Sequence, residues 1–256
     1  MRRIMLRVAY DGTDYCGWQF QPGQDTIEGQ LNTALSAMLK EDIAVTGASR
    51  TDAGVHSMGN VCVFDTSRDI PAPNVARAIN GWLPDNIVVT ESRQVPEGFH
   101  PRHCDCVKTY EYRIYNAKTD NPQLNRYSYH YDKPLDVGNM QQAADYMVGE
   151  HDFTSLCAVA SDALTKVRTI YDINVTKTCN LVAIRVRGSG FLYNMVRIIA
   201  GTLIWAGTGR IEPEDVVQII DGRDRALAGP TAPARGLTQI GIEYDEKLLT
   251  LKEECE

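Results

Sequence analysis

The chain has 256 residues, 43% of them hydrophobic, and a formal net charge of −7. That is enough apolar material to bury the core of one large domain or two halves. No stretch supplies the roughly 20 mostly apolar residues of a membrane span, and the seven scattered cysteines argue for reduced thiols in a cytosol and against a disulfide framework.

Arg3 to Tyr10 alternates as a strand, and the basic N-terminus runs into it with neither the long apolar run nor the cleavage site of a signal peptide. Asp25, with Glu28 three residues on, forms a capping-box pattern for a helix whose apolar face is Ile27, Leu31, Ala34, Leu35 and Met38. Strands are predicted over 43–48 and 60–66, a short helix over 74–82 and a strand over 87–90. A second set follows: a strand over 107–116, a helix capped by Asp136, strands over 170–177 and 181–187, and an apolar helix over 191–206. Pro213 starts another helix, and 237–244 closes as a strand. The repeated rhythm implies an α+β chain of two halves, 1–100 and 101–256, joined through one sheet near Pro96–Pro101.

Two features stand out. Gly47 to Ser57 places Asp52 two residues from Arg50 in a Gly-punctuated loop between apolar runs. Such a loop can present a reactive carboxylate or simply turn on its own Asp and Thr side chains. The helix around Arg197 is apolar nearly all round, which marks it as buried. A guanidinium there cannot shed its proton, so it needs a carboxylate, a ligand anion or a wet cleft, unless it snorkels to the surface. Asp52 is the best candidate for that carboxylate.

Charge is unevenly placed. Glu243 to Glu256 carries six acids and two bases, while Lys166 to Arg210 carries seven bases and one acid, Asp172. The second pattern fits either a cleft for a polyanion or a sheet with solvated basic residues on one face. Cys104 and Cys106 beside His100 and His103 lack the spacing of a zinc ribbon or finger, so no metal is expected.

Several blocks, in order along nearly the whole chain, resemble the tRNA pseudouridine synthase A family. They are Tyr10-Asp11-Gly12 with Tyr15, Gly17-Trp18-Gln19, Arg50 to His56, Phe99-His100 with Arg102, and Lys108 to Tyr112. His151-Asp152-Phe153, Val167 to Ile170, Gly190 to Arg197, Gly201-Thr202 and Ala232 to Leu237 complete them. Ser49, Lys108-Thr109, Leu156 and His103 to Cys106 depart from the family pattern, and these departures bear on which uridines are chosen.

The resemblance implies two ferredoxin-like halves sharing a continuous mixed or antiparallel sheet around a central basic cleft. It implies a cytoplasmic homodimer that converts uridine to pseudouridine at positions 38 to 40 of the tRNA anticodon stem-loop, without cofactor or membrane. Asp52 becomes the nucleophile, Arg197 its partner, and Tyr110 the residue that stacks on uracil or aids proton removal at C5. Arg50 reads as the residue replacing the flipped base, Arg168 as a phosphate contact and Leu237 as an apolar wall of the uracil pocket. His56 can serve as acid or base, or pack the loop. Two other classes, an RNA-binding module without chemistry and a hydrolase using Asp52 and His56, explain the ordered blocks less well.

Overall fold

The computed structural model describes residues 1–251; the last five residues of the acidic tail lie outside the described residues. In chain order the elements begin with β1 (Arg2–Tyr10), α1 (Ile27–Leu39), β2 (Thr46–Gly47), β3 (His56–Thr66), α2 (Ala72–Ile79) and β4 (Ile87–Val95). They continue with β5 (Cys106–Asn116), β6 (Tyr129–Tyr131), α3 (Val137–Asp145), β7 (Gly149–Asp152), β8 (Val167–Thr178) and β9 (Leu181–Gly188). The series closes with α4 (Met195–Gly207), α5 (Asp215–Gly222), β10 (Leu237–Tyr244) and α6 (Glu246–Leu249). The chain is α+β; β1 pairs antiparallel with β3 and β4, and β9 pairs antiparallel with β5 and β8, while β5 and β6 run parallel. It divides into two compact units: Met1–Cys106 together with the segment from Gln239 on, and Val107–Thr238.

In the first unit the strands run β4-β1-β3-β10. Alternation along β1 sends Ile4, Leu6, Val8 and Tyr10 into a core with Leu31, Leu35, Val75 and Ile79 of α1 and α2. Met5 goes to the other face, where it packs with Val61, Val63, Phe99, Ile242 and Leu249. In the second unit the order is β5-β9-β8-β7, with α3 packed on β8 and α4.

Four local expectations need correction. Thr26, not Asp25, caps α1: its side chain accepts from the Gly29 amide. The Ile27 and Glu28 amides are taken by the Gly17 and Trp18 carbonyls at 3.2 and 2.9 Å, so the helix begins one residue later than the pattern suggested. Glu28 does not complete the box; its carboxylate accepts from the Phe20 amide at 2.6 Å.

The strand predicted over 43–48 shrinks to β2. Asn32 and Ser36 of α1 capture the Val45 and Ile43 amides at 2.8 and 2.9 Å, and those donors cannot then serve a ladder. Conversely, β4 runs on to Val95 through the polar residues Glu91 to Gln94, because β1 supplies partners for all of them. The apolar helix starts at Met195 and not at 191. Asn194 adopts a left-handed conformation, φ 60°, immediately before it, a conformation that asparagine accepts more readily than most residues.

Candidate active site

In the first unit, Asp52 lies between β2 and β3 on the loop the sequence singled out, half-buried, with Arg50 exposed and His56 buried at the start of β3. The Asp52 carbonyl accepts from the Val55 amide at 3.1 Å. Gly54, the third residue of that turn, has φ +76°, the backbone of a type II turn. The sequence Asp-Ala-Gly-Val therefore closes the loop just after the carboxylate.

The residue before Asp52 is held at two points. The Thr51 hydroxyl is hydrogen-bonded to the Tyr10 hydroxyl at 2.7 Å in a buried setting. Its carbonyl accepts from the Trp18 amide at 3.0 Å. Further upstream the Ser49 carbonyl accepts from the Asn60 side-chain amide at 3.0 Å, and the Ala48 amide reaches the Val61 carbonyl at 2.8 Å. Gly12 sits so close that a Cβ there would lie 2.0 Å from the Val55 carbonyl oxygen. Buried polar groups in such a loop need these partners, since an unsatisfied one costs about 1–3 kcal/mol.

The His56 ring is buried, and its Nδ1 lies 3.2 Å from both the Gly12 amide and Asp11 Oδ1. These contacts seat the His56 ring against Asp11 and Gly12.

Tyr110, Arg168, Arg197 and Leu237 belong to the second unit. Tyr110 is buried on β5, its ring edge-on to Phe191 with centroids 5.2 Å apart. Tyr112 shares its face, as period two requires. The Tyr112 hydroxyl donates to the Pro233 carbonyl at 2.9 Å, and burial pushes its pKa well above the usual tyrosine range. Leu237 is buried at the first position of β10.

Arg197 is half-buried on α4, where all the other residues but Trp205 are buried. Its Nε donates to the Ala232 carbonyl at 2.7 Å and its Nη1 to Asn194 Oδ1 at 2.8 Å. Arg168 is also half-buried. It donates to the carbonyls of Thr165 and Val167 at 3.0 and 2.6 Å, and burial lowers its pKa.

Much of the basic segment is thus engaged inside the second unit. Arg187 pairs with Asp172 at 3.2 Å, Lys177 donates to Asn116 at 3.1 Å, and the Arg210 guanidinium lies 3.9 Å from the centre of the Trp205 ring. Arg185 is exposed. A count of charges along the sequence therefore overstates what this segment offers to phosphates.

Cys104 and Cys106 pack beside the Phe99 cluster, and the His100 and His103 rings lie 4.1 Å apart. Among the described residues, no group of three or more His, Cys, Asp or Glu side chains is arranged to hold a metal ion. The structure adds residues to which the sequence reading assigned no role: Tyr10, Trp18 and Thr51 around the loop, and Asn194 and Ala232 around Arg197. The density of Gly and aromatic residues in Tyr10 to Trp18 was the available signal.

Comparison with known proteins agrees with the motif reading. A family model described as tRNA pseudouridine synthase matches residues 7–103 and 143–245. The protein named tRNA pseudouridine synthase A from Ruminiclostridium cellulolyticum is 46% identical over 95% of this chain and 100% of its own length. The protein of that name from Brevibacillus brevis is also 46% identical, with the same coverage. That from Bacillus subtilis is 42% identical over 95% of this chain and 99% of its own. A chain from the solved archaeal box H/ACA sRNP Nop10-Cbf5 complex shares 11% identity at a TM-score of 0.35, over 88% of this chain and 60% of that one. With a family model covering most of its length and near-full-length relatives above 40% identity, the chain belongs to the tRNA pseudouridine synthase A family.

Proposed function

We propose that this protein isomerises uridine to pseudouridine at positions 38 to 40 of the tRNA anticodon stem-loop, with Asp52 as the covalent nucleophile. Family membership supports an isomerase acting on uridine in tRNA. The observation that carries the role of Asp52 is its setting. The carboxylate stands on a short loop whose preceding residue is hydrogen-bonded through both side chain and backbone, and whose following turn is closed. A nucleophile held this way loses little freedom on reaching the transition state.

The chemistry requires no net change in oxidation state and no cofactor. The Asp52 carboxylate adds to the ribose or to the base, and the bond between N1 and C1′ breaks. Uracil turns, C5 bonds to C1′, the C5 proton leaves, N1 takes up a proton and the carboxylate is expelled. Tyr110 faces the base and helps remove the C5 proton. Arg197 is the proposed cationic partner of the reacting carboxylate.

Arg50 occupies the place vacated by the flipped nucleotide, Arg168 contacts phosphate and Leu237 walls the uracil. His56 supports the loop from behind. The enzyme works in the cytoplasm as a homodimer, so that one subunit grips the tRNA body while the other acts on the loop.

Unmodified tRNA incubated with the protein and mapped by carbodiimide-dependent reverse-transcription stops tests the reading. Stops are expected at positions 38 to 40 and nowhere else. Stops elsewhere would overturn the assigned position, and a monomer that is fully active by light scattering and rate measurement would overturn the two-subunit arrangement.

A further inference from the structure

The buried hydroxyl pair of Tyr10 and Thr51 does more than fill a core. We propose that Tyr10 is a positioning residue for the isomerisation, acting through Thr51 to set the conformation from which Asp52 reacts. The inference rests on the reading of Asp52 as nucleophile. Four observations support it.

First, the two side chains are both more than nine-tenths buried and their hydroxyls lie 2.7 Å apart. Neither can easily exchange this bond for water, so it fixes the rotamer of the residue bonded directly to Asp52. Second, Tyr10 is aimed by the strand itself. Register with β3 slips between Val8 and Tyr10, and register with β4 slips between Arg7 and Val8. Irregularities of this kind redirect the side chains that follow them and concentrate beside active sites.

Third, the same short segment grips Thr51 a second time. The Trp18 amide holds the Thr51 carbonyl, and the Gly17 and Trp18 carbonyls receive the first amides of α1. The Tyr10 and Trp18 rings lean on each other with centroids 5.9 Å apart. The end of β1, the entry to α1 and the backbone before Asp52 are therefore coupled through a few direct contacts, all within the first unit. Fourth, that loop is tight enough to transmit a small displacement, since Gly12 and Gly17 approach Val55 and Thr51 at distances no Cβ could share. A misplacement of about 1 Å at a reacting group can cost on the order of 100-fold in rate.

The test uses the full-length protein and tRNA carrying tritium at uridine C5, followed in single turnover with enzyme in excess. Tyr10→Phe and Thr51→Val each remove one hydroxyl while keeping the side chain's bulk. Each is expected to slow tritium release about 10- to 100-fold, with tRNA affinity by filter binding within about twofold of wild type.

The double variant is expected to be no slower than the slower single one, because both changes delete the same bond. Thr51→Ser, which keeps the hydroxyl, is expected to stay within about threefold of wild type. A Tyr10→Phe protein at the wild-type rate would overturn the proposal, as would losses that multiply in the double variant or that follow loss of tRNA binding.

Asp52→Asn in the same assay separates this proposal from the reading beneath it. Full tritium release by Asp52→Asn overturns the nucleophile and the positioning role together. An inactive Asp52→Asn beside a fully active Tyr10→Phe overturns the positioning role alone.

Discussion

Arg197 and Ala232 exchange hydrogen bonds: the guanidinium Nε donates to the Ala232 carbonyl at 2.7 Å, and the Ala232 amide donates to the Arg197 carbonyl at 3.1 Å. The pair ties α4 to the segment leading into β10. It also explains how a cation sits in a helix that is otherwise almost wholly buried. The Ala232 carbonyl and the Asn194 side-chain oxygen supply part of the solvation that water no longer gives.

Replacing Arg197 by Met keeps much of the bulk but removes the Nε and Nη1 donors to Ala232 and Asn194. The expected outcome is a folded protein destabilised by about 1–3 kcal/mol and without measurable pseudouridine formation. Urea denaturation and tritium release measure the two effects separately. Wild-type activity in Arg197→Met would remove Arg197 from the proposed chemistry.

Asp52→Ala and Asp52→Asn are expected to abolish pseudouridine formation while leaving tRNA affinity within about threefold. Carbodiimide mapping and filter binding read the two quantities. Conversion by Asp52→Ala would exclude a covalent role for this carboxylate, since alanine has no group to form the bond.

The cap of α1 separates two readings of one segment. Thr26→Ala is expected to cost about 1 kcal/mol of stability, the usual loss when a capping hydroxyl is deleted. Asp25→Ala is expected to cost less, because the Asp25 side chain accepts from the Gln30 side chain at an exposed position and does not cap the helix. Thermal unfolding of the two variants side by side decides the order.

The Arg3–Asp65 pair predicts a pH dependence. The Arg3 guanidinium, bonded to both Asp65 oxygens at 2.9 and 2.8 Å, holds the Asp65 carboxyl below its usual range. The proton is bound more tightly in the unfolded chain, so the pair's contribution is full above the unfolded pKa of about 4. It is lost as pH falls through the lower folded value. With the Asp65 side chain 39% exposed, that contribution is at most about 1 kcal/mol. Denaturant midpoints of wild type and Asp65→Asn are expected to differ at pH 6 and converge toward pH 2.

Much of this protein could be read without coordinates, for local reasons. Asp136 was recognisable as a cap because its carboxylate finds its donor locally, in the Asn139 amide three residues on. The strands Leu237–Tyr244 and Leu181–Gly188 emerge where expected because alternation and β-branched content agree there. The loop carrying Asp52 was visible because its glycines and polar residues interrupt two apolar runs.

Much of what resisted reading was settled by a partner outside the segment itself. Ile43 and Val45 have the composition of a strand, but the side chains that take their amides lie on the preceding helix. Glu91 to Gln94 looks like a polar loop until β1 provides a ladder beside it. Nothing within Gln239 to Tyr244 specifies that it joins the first unit beside β3, where Gln239 meets Ser57.

The basic stretch from Lys166 to Arg210 was legible as charge but not as availability. Asp172 comes opposite Arg187 only when β8 and β9 pair. Residue types and their local order thus determined the α+β class and the family, and nominated Asp52, Tyr110 and Arg197 for the chemistry. The tertiary structure decided which backbone donors were free for ladders, which cations were already spent, and that Tyr10 and Thr51, 41 residues apart, share one buried bond. A hydrogen bond needs its partner within about 3 Å, and for these groups only the folded chain brings that partner near.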